Sequence, residues 1–486
     1  MKLTDMKPGD QIVGFVIDGD DTLPYQHASY VVDPVWGPTL EFSYPVQVFF
    51  EEPDPQHAEV HRWAQDSATI PKVLLFSCSE GVATFYNCTM IRRKENFSYG
   101  VNFTLRPDVT IQGLDEPAFG KPISVPWLKS TMTGLGGFIA RSVFTTQHER
   151  DDDGRGQAYT ATVRSPEAIT FHVGDCEVAL SLTWRSSIRE GLELHMYADA
   201  WIETTFPADV TVDDHLAIHR QMRAILALNS GQSAWITAHR VKPQGANREL
   251  PLLHPSTFRD VAKDEADDRK PTLGLTSMNR VDVAQLEDWL IDRDYWSRVT
   301  SPVLGILQRE SYTAEERVIA SGIAVEAIGH ELPQAEEEEA TYSAALRPRP
   351  TAATYMYRCI VRSKLNFSRS GHSNTALAKA FAQVYNKTKH YEERRQPDAA
   401  STQIIGQLGV LVVRAVALQH LHRIGGENLL HDSLEIDQLS SLLRRLVIAD
   451  DGWPTYRDIE TETEAEGEAQ AETDPEAGLG PDSEAQ

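Results

Sequence analysis

The sequence predicts an α+β protein: an antiparallel β-rich N-terminal domain, a helical connector and a C-terminal all-α helical bundle. Three observations carry this. Up to about residue 205, short runs rich in β-branched and aromatic residues recur between turn formers. At Thr211 the apolar residues change to helical spacing, and from about residue 301 that spacing holds throughout. After about residue 450 the apolar residues thin out and acidic ones take over. The expected organisation is therefore a β-rich domain over 1–210, a helical or irregular connector over 211–300, a bundle over 301–450 and a disordered acidic tail over 451–486.

The strand candidates are 11–17, 46–51, 72–76, 82–90, 98–105, 158–163, 168–173, 177–183 and 193–204, which read as a sandwich or barrel-like domain. The run Val178-Ala-Leu-Ser-Leu-Thr-Trp184 alternates well, as a half-buried strand must. A helix opens at 212, capped by Thr211 or Asp213, and runs to Gly231. A short strand is expected at 233–241, an irregular charged loop at 243–270 and a further helix at 283–290. Beyond these, 314–332 is helical, with Thr313 and Glu316 at capping-box spacing. Glu336 to Glu339 reads as a charged interruption. Helices are then expected at 351–367, 375–390, 403–424, stopped by Gly425-Gly426, and 433–448.

The chain carries a net charge of −25, but unevenly. Residues 458–486 hold eleven Asp and Glu and no Lys or Arg. Residues 351–395 hold nine Lys and Arg against two acidic residues, a net of +7. A basic island in an acidic protein suggests an anionic partner, with a solvated helix face as the plainer reading. The four cysteines, Cys78, Cys88, Cys176 and Cys359, form no ligand-spaced pair, and so few suit a reducing cytosol. Residues 1–10 lack an apolar signal core, and the apolar stretch 404–421 is interrupted by polar residues. The expectation is a cytoplasmic protein with no membrane partner and no cofactor.

The stretch Tyr385-Asn-Lys-Thr-Lys-His390 is the main candidate for chemistry. Asn386 and His390 are four residues apart and share a helix face. Lys387 and Lys389 flank that face, and Arg394 and Arg395 follow. Metal-free RNA cleavage needs a base for the 2′-hydroxyl, cations for the phosphate and an acid for the leaving oxygen. An imidazole beside an amide and ammonium groups supplies these types. The plainer reading has His390 capping its own helix.

These residues, with Ala324-Val-Glu-Ala327 on an earlier helix and Val412-Val-Arg-Ala415 on a later one, resemble a HEPN domain of the ApeA-like type. The N-terminal part, through Trp127-Leu128, Gly134-Leu-Gly-Gly-Phe138, Trp201-Ile202 and Asn229-Ser-Gly231, resembles the ApeA N-terminal domain. The resemblance implies anti-phage defence by metal-independent RNA cleavage in a homodimer, set off by a phage-derived trigger. It implies His390, Asn386 and Glu326 as catalytic residues. Lys387, Lys389, Arg394 and Arg395, read from their charge, and Tyr385, at the family's Arg position, are the candidate substrate-binding residues. Tyr385 stands where the family has an Arg, and a phenol cannot clamp phosphate as a guanidinium does. The alternative is therefore a non-catalytic protein that binds RNA or a nucleotide, or only dimerises.

Other constellations carry less. Arg414 and His420 also fit a loose Arg-to-His spacing, but six residues turn them about 240° apart, so they read as core helix. Glu326 is either a bundle ion-pair partner or the carboxylate that orients His390. Arg369 to His372 reads as a polar loop. Gly134-Leu-Gly-Gly137 lacks the ending of a phosphate loop. His215 and His219 share a face and read as a surface pair rather than a metal site.

Overall fold

The computed structural model describes residues 2–19, 26–44, 55–96, 100–114, 117, 119, 121–150, 154, 156–189, 193–243, 248–255, 274–309, 311–343, 348–390, 396–422 and 434–457. The expected strand at 46–51 and the acidic tail from 458 fall outside them. The chain divides into two compact units, Met1–Asp294 with Leu421–Ile424, and Tyr295–His420 with Gly425–Gln486.

The strands of the first unit are β1 (Gln11–Ile17), β2 (Gln26–Asp33), β3 (Gly37–Tyr44), β4 (Val73–Cys78), β5 (Gly81–Tyr86), β6 (Thr89–Asn96), β7 (Gly100–Arg106), β8 (Val109–Gln112) and β9 (Ser124–Met132). They continue with β10 (Phe144–Arg150), β11 (Gly156–Val163), β12 (Ile169–Val173), β13 (Cys176–Arg189), β14 (Glu193–Thr211), β15 (Ile236–Val241) and β16 (Leu250–Leu253). Its helices are α1 (Pro55–Gln65), α2 (Leu135–Ile139), α3 (Val212–Ser230) and α4 (Val283–Ile291). Gly134-Leu-Gly-Gly137 thus opens the short α2.

Fourteen strands form one ladder in the order β12-β13-β14-β9-β15-β16-β8-β5-β4-β1-β2-β3-β7-β6. The two halves of this ladder are continuous. The reason lies in 211–300, read as connector: its strands β15 and β16 sit mid-ladder and join the two halves by antiparallel pairing to β9 and β8.

One face of the first half is covered by α1, whose Trp63 stands edge-on to Phe42 at 5.9 Å. Around them Val16, Tyr30, Phe76, Phe85 and Phe103 are buried. Gly14 is required in β1, because a Cβ there would lie 2.5 Å from Ser77 O and 2.6 Å from the Phe76 ring. The second half packs Val125, Leu128, Val241 and Leu252 against Val212 and Leu216 of α3. That helix starts with a capping box: Thr211 Oγ1 accepts from Asp214 N–H, and Asp214 Oδ2 accepts from Thr211 N–H.

His215 and His219 are not a surface pair. Both are fully buried, because their shared face of α3 turns to the sheet. Sheet hydroxyls supply their partners. Ser130 Oγ lies 2.6 Å from His219 Nδ1 and 2.6 Å from His239 Nδ1. Thr204 Oγ1 lies 2.8 Å from His215 Nδ1 and 3.0 Å from His219 Nε2. His215 Nε2 lies 3.0 Å from Val125 O, which can only accept. With neutral rings this end gives one consistent set of hydrogens. His215 Nε2–H donates to Val125, Thr204 O–H to His215 Nδ1, His219 Nε2–H to Thr204, Ser130 O–H to His219 Nδ1, and His239 Nδ1–H to Ser130. Were Thr204 to donate to Leu128 O instead, at 3.1 Å, His215 could keep both of its hydrogen bonds only as a buried cation. Burial opposes that, and it pushes the pKa of His215, His219 and His239 down.

In the second unit, α5 (Arg293–Leu307) is followed by α6 (Ala314–Glu331), α7 (Ala352–Ser363), α8 (Asn374–His390), α9 (Ala399–Gln419) and α10 (Leu434–Leu443). The last expected helix is shorter than read, because the chain turns after α10 into the hairpin Leu446–Ile448 and Pro454–Tyr456. The cap at Thr313 is the expected box: Thr313 N–H donates to Glu316 Oε2, and Glu316 N–H to Thr313 Oγ1. The core helix α9 is, by length and composition, long and apolar enough to cross a membrane, contrary to the sequence expectation, and 89% of its apolar window is buried in the protein. Arg414 on it is buried and pairs with Glu435 of α10. His420 packs on Trp296 at 5.0 Å. His372 is tied to the Leu443 and Leu446 carbonyls at 3.1 and 3.0 Å.

In the interruption at 336–339, Glu336, Glu337 and Glu339 are exposed, but Glu338 turns inward. Glu338 is fully buried, and Arg358 of α7 holds it through Nε at 2.7 Å and Nη2 at 2.8 Å. Tyr342 O–H and Ala335 N–H also donate to its carboxylate. Arg358 Nη1 donates to Gly329 O and Leu332 O, closing the C-terminal end of α6. These donors hold the Glu338 carboxyl at a pKa of about 2, the Arg358 hydrogen bonds being the largest cause. Arg358→Met leaves that carboxylate buried without its fork, and a loss of about 3 kcal/mol is expected in urea unfolding. Arg358→Met with Glu338→Met together should recover most of it, because no lone charge remains.

Candidate functional site

The basic end of α8 is set by two opposed demands on one helix. Leu377, Phe381, Val384 and Tyr385 face the bundle, and Lys387, Lys389 and His390 fill the last turn, where cations favour the helix dipole. Three stripes result. Tyr385 and Lys389 form one, Asn386 and His390 the next, about 100° round, and Lys387 the third.

Tyr385 is 1% exposed. Its ring is stacked near Phe381, with centroids 6.2 Å apart, and lies against Gly322 of α6, where any Cβ would overlap it. Its hydroxyl donates to Glu326 Oε2 at 3.1 Å and accepts from Lys389 Nζ at 3.3 Å. The Lys389 ammonium also lies 5.1 Å from the ring centre and 3.8 Å from Glu326 Oε2. Burial raises the Tyr385 pKa, and the hydrogen bond to Tyr385 raises that of Lys389. Glu326, Tyr385 and Lys389 are therefore brought together as one polar cluster.

Asn386 and His390 are both exposed. Neither side chain makes a hydrogen bond or ion pair within the described residues. Glu326 has Tyr385 and Lys389 as its partners, so the ion-pair reading of this residue matches the geometry, and no carboxylate among the described residues orients His390. Lys387 is half-buried beside them. Arg394 and Arg395 lie outside the described residues. The arrangement offers an accessible imidazole able to give or take a proton, an amide four residues before it, and ammonium groups to either side. The position of the expected guanidinium holds a buried phenol that organises a neighbouring lysine and carboxylate.

Sequence reasoning missed other polar centres: the histidine relay, the Arg358–Glu338 pair, and Arg92 with Lys94 on β6. The pair i, i+4 at His215 and His219 was a visible signal, but its partners lie far away in the sequence, Ser130 being 89 residues from His219.

Together these features define an α+β protein, with a large antiparallel sheet followed by a helical unit that carries an exposed Asn–His face. Residues 50–286 match the family model described as ApeA N-terminal domain 1, so this part of the chain is ApeA-like. No curated protein and no solved structure matches the chain.

Proposed function

We propose that this chain is a cytoplasmic anti-phage defence protein whose C-terminal unit is HEPN-like and cleaves RNA without metal, under control of the ApeA-like N-terminal part. The observation that carries the chemistry is the Asn386–His390 face: accessible, unengaged by other described side chains, and bordered by Lys387 and Lys389. The match over residues 50–286 supports the defence role. In this reading His390 acts as general acid or base on the ribose hydroxyl or leaving oxygen. Asn386 hydrogen-bonds the phosphate, and Lys387 and Lys389 stabilise its charge. Glu326 acts through Lys389 and Tyr385, holding the ammonium beside the His390 stripe. A second copy of the chain completes the site, and a phage-derived component triggers it.

The buried Tyr385 favours a second reading, in which the helical unit binds RNA or a nucleotide, or only dimerises, without cutting. The test is to incubate purified protein with mixed RNAs, with and without a metal chelator, beside His390→Ala. Cleavage that resists chelator and is lost in the variant supports the first reading. Binding without cleavage, weakened by Lys387→Ala and Lys389→Ala, supports the second.

A further inference from the structure

The open face of the first half of the sheet, opposite α1, carries a polar cavity of about 380 Å³ across β1, β2, β3, β7 and β6. That volume lies in the range of small-ligand pockets. Its lining is organised by strand register. Glu41, Thr104 and Arg92 are paired in one row across β3, β7 and β6, and Ser43, Asn102 and Lys94 in the next. Each row ends on a cation. Arg92 and Lys94 are two residues apart on one strand, which sets them about 7 Å from each other on the same face. Both are exposed, and neither makes an ion pair among the described residues.

An irregularity in β6 puts them there. Met90 pairs with Leu105, a core residue, yet Arg92 pairs with Thr104, on the open face. In an unbroken strand Met90 and Arg92 would share a face, and Arg92 would point at the core. The bulge between them switches the phase, leaving Met90 packed on the core and delivering Arg92 and Lys94 to the cavity. Across the cavity, two strand spacings from Arg92 or about 10 Å, stands the carboxylate of Glu41. Hydroxyls and an amide, from Ser43, Thr104 and Asn102, lie between.

From this order of groups we infer that the cavity binds a nucleoside monophosphate whose base presents N–H donors. A planar guanidinium beside an ammonium suits a phosphate. Neutral hydrogen-bonding side chains suit sugar hydroxyls. A carboxylate accepts from an amino-bearing base edge, as a bare anion could not exploit. The site lies wholly within the first unit and does not depend on the Asn386–His390 reading.

The experiment is calorimetric titration of the full chain with AMP, ribose phosphate and inorganic phosphate. AMP is expected to bind at least about tenfold more tightly than the other two, the increment of a charged hydrogen bond. The variant Arg92→Ala with Lys94→Ala should weaken AMP by about tenfold or more. Glu41→Ala should erase the advantage of AMP over ribose phosphate, since only the base contact is lost. Lys387→Ala with Lys389→Ala should leave AMP binding unchanged. The inference is overturned by AMP that does not bind at millimolar concentration or by equal affinity for phosphate and AMP. It is equally overturned by binding that follows Lys387 and Lys389 rather than Arg92 and Lys94. Glu41, Arg92, Lys94 and Lys389 are exposed and Lys387 is half-buried, and an unchanged melting temperature checks that each variant folds.

Discussion

Replacing His390 by alanine is expected to lower the proposed RNA cleavage by about 10²–10⁴-fold, the usual contribution of a positioned acid or base. The fold should be untouched, because the side chain is exposed at the end of α8 and holds no other described residue. Asn386→Ala should reduce the rate as well, since it shares the His390 stripe. The family resemblance implies that Tyr385→Arg would leave activity unchanged or raise it by restoring a phosphate clamp. The packing argues for a loss instead: the ring fills the space over Gly322, and an arginine there would bury a guanidinium in the bundle. Tyr385→Phe is the informative change. It keeps the ring and removes the hydroxyl from Glu326 and Lys389, so a lowered rate with an unaltered melting temperature would mark Tyr385 as the residue that positions Lys389. Cleavage that persists in His390→Ala and stops with chelator would sink the assignment.

Acid is expected to unfold the first unit ahead of the second. Burial lowers the pKa of His239 from 6.5 to about 3 and that of His254 to about 4. Below pH 6.5 the unfolded chain takes up protons that the folded unit refuses, so stability present above that pH is lost progressively as pH falls. Between pH 6.5 and 5, His239 alone accounts for about 2 kcal/mol. His215 and His219 act in the same direction. Glu338 in the second unit is held at about 2 against an ordinary 4.5, so its contribution is complete above 4.5 and falls away only below it. Seven of the nine tryptophans precede Tyr295, so fluorescence follows mainly the first unit, while helical circular dichroism weighs the second. Urea midpoints by fluorescence should drop from pH 7 to 5 while the dichroism midpoint moves less. A fluorescence midpoint constant over that range would show that the relay does not stay neutral.

How much could be read in advance follows from the range of the interactions. The box at Thr313 was legible, and the cap of α3 was narrowed to Thr211 or Asp213, because such partners lie within one turn. Strand β13 was legible in the alternation of Val178 to Trp184. Strands β2, β3, β6, β8, β9 and β10 were missed and β16 was read as loop; β9 and β16 pair with distant chain, whereas β2 and β3 form a local hairpin whose alternation was passed over. In the candidate site, the Asn386–His390 stripe needed only helix geometry. That Tyr385 faces inward, and that Glu326 meets Lys389 rather than His390, depended on how α6 packs on α8.

By itself the sequence determined the α+β class, the change from strand to helical periodicity, the helix caps and the faces that successive helical residues share. These rest on torsion preferences and on hydrogen bonds between near neighbours. Only the tertiary structure decided which shared face is buried. It turned His215 and His219 to Ser130 and Thr204, closed Arg358 on Glu338, and used a bulge to swing Arg92 and Lys94 from the core side to the open side. Burial and the pairing of polar groups depend on which distant strands and helices meet, and a one-dimensional pattern does not contain that.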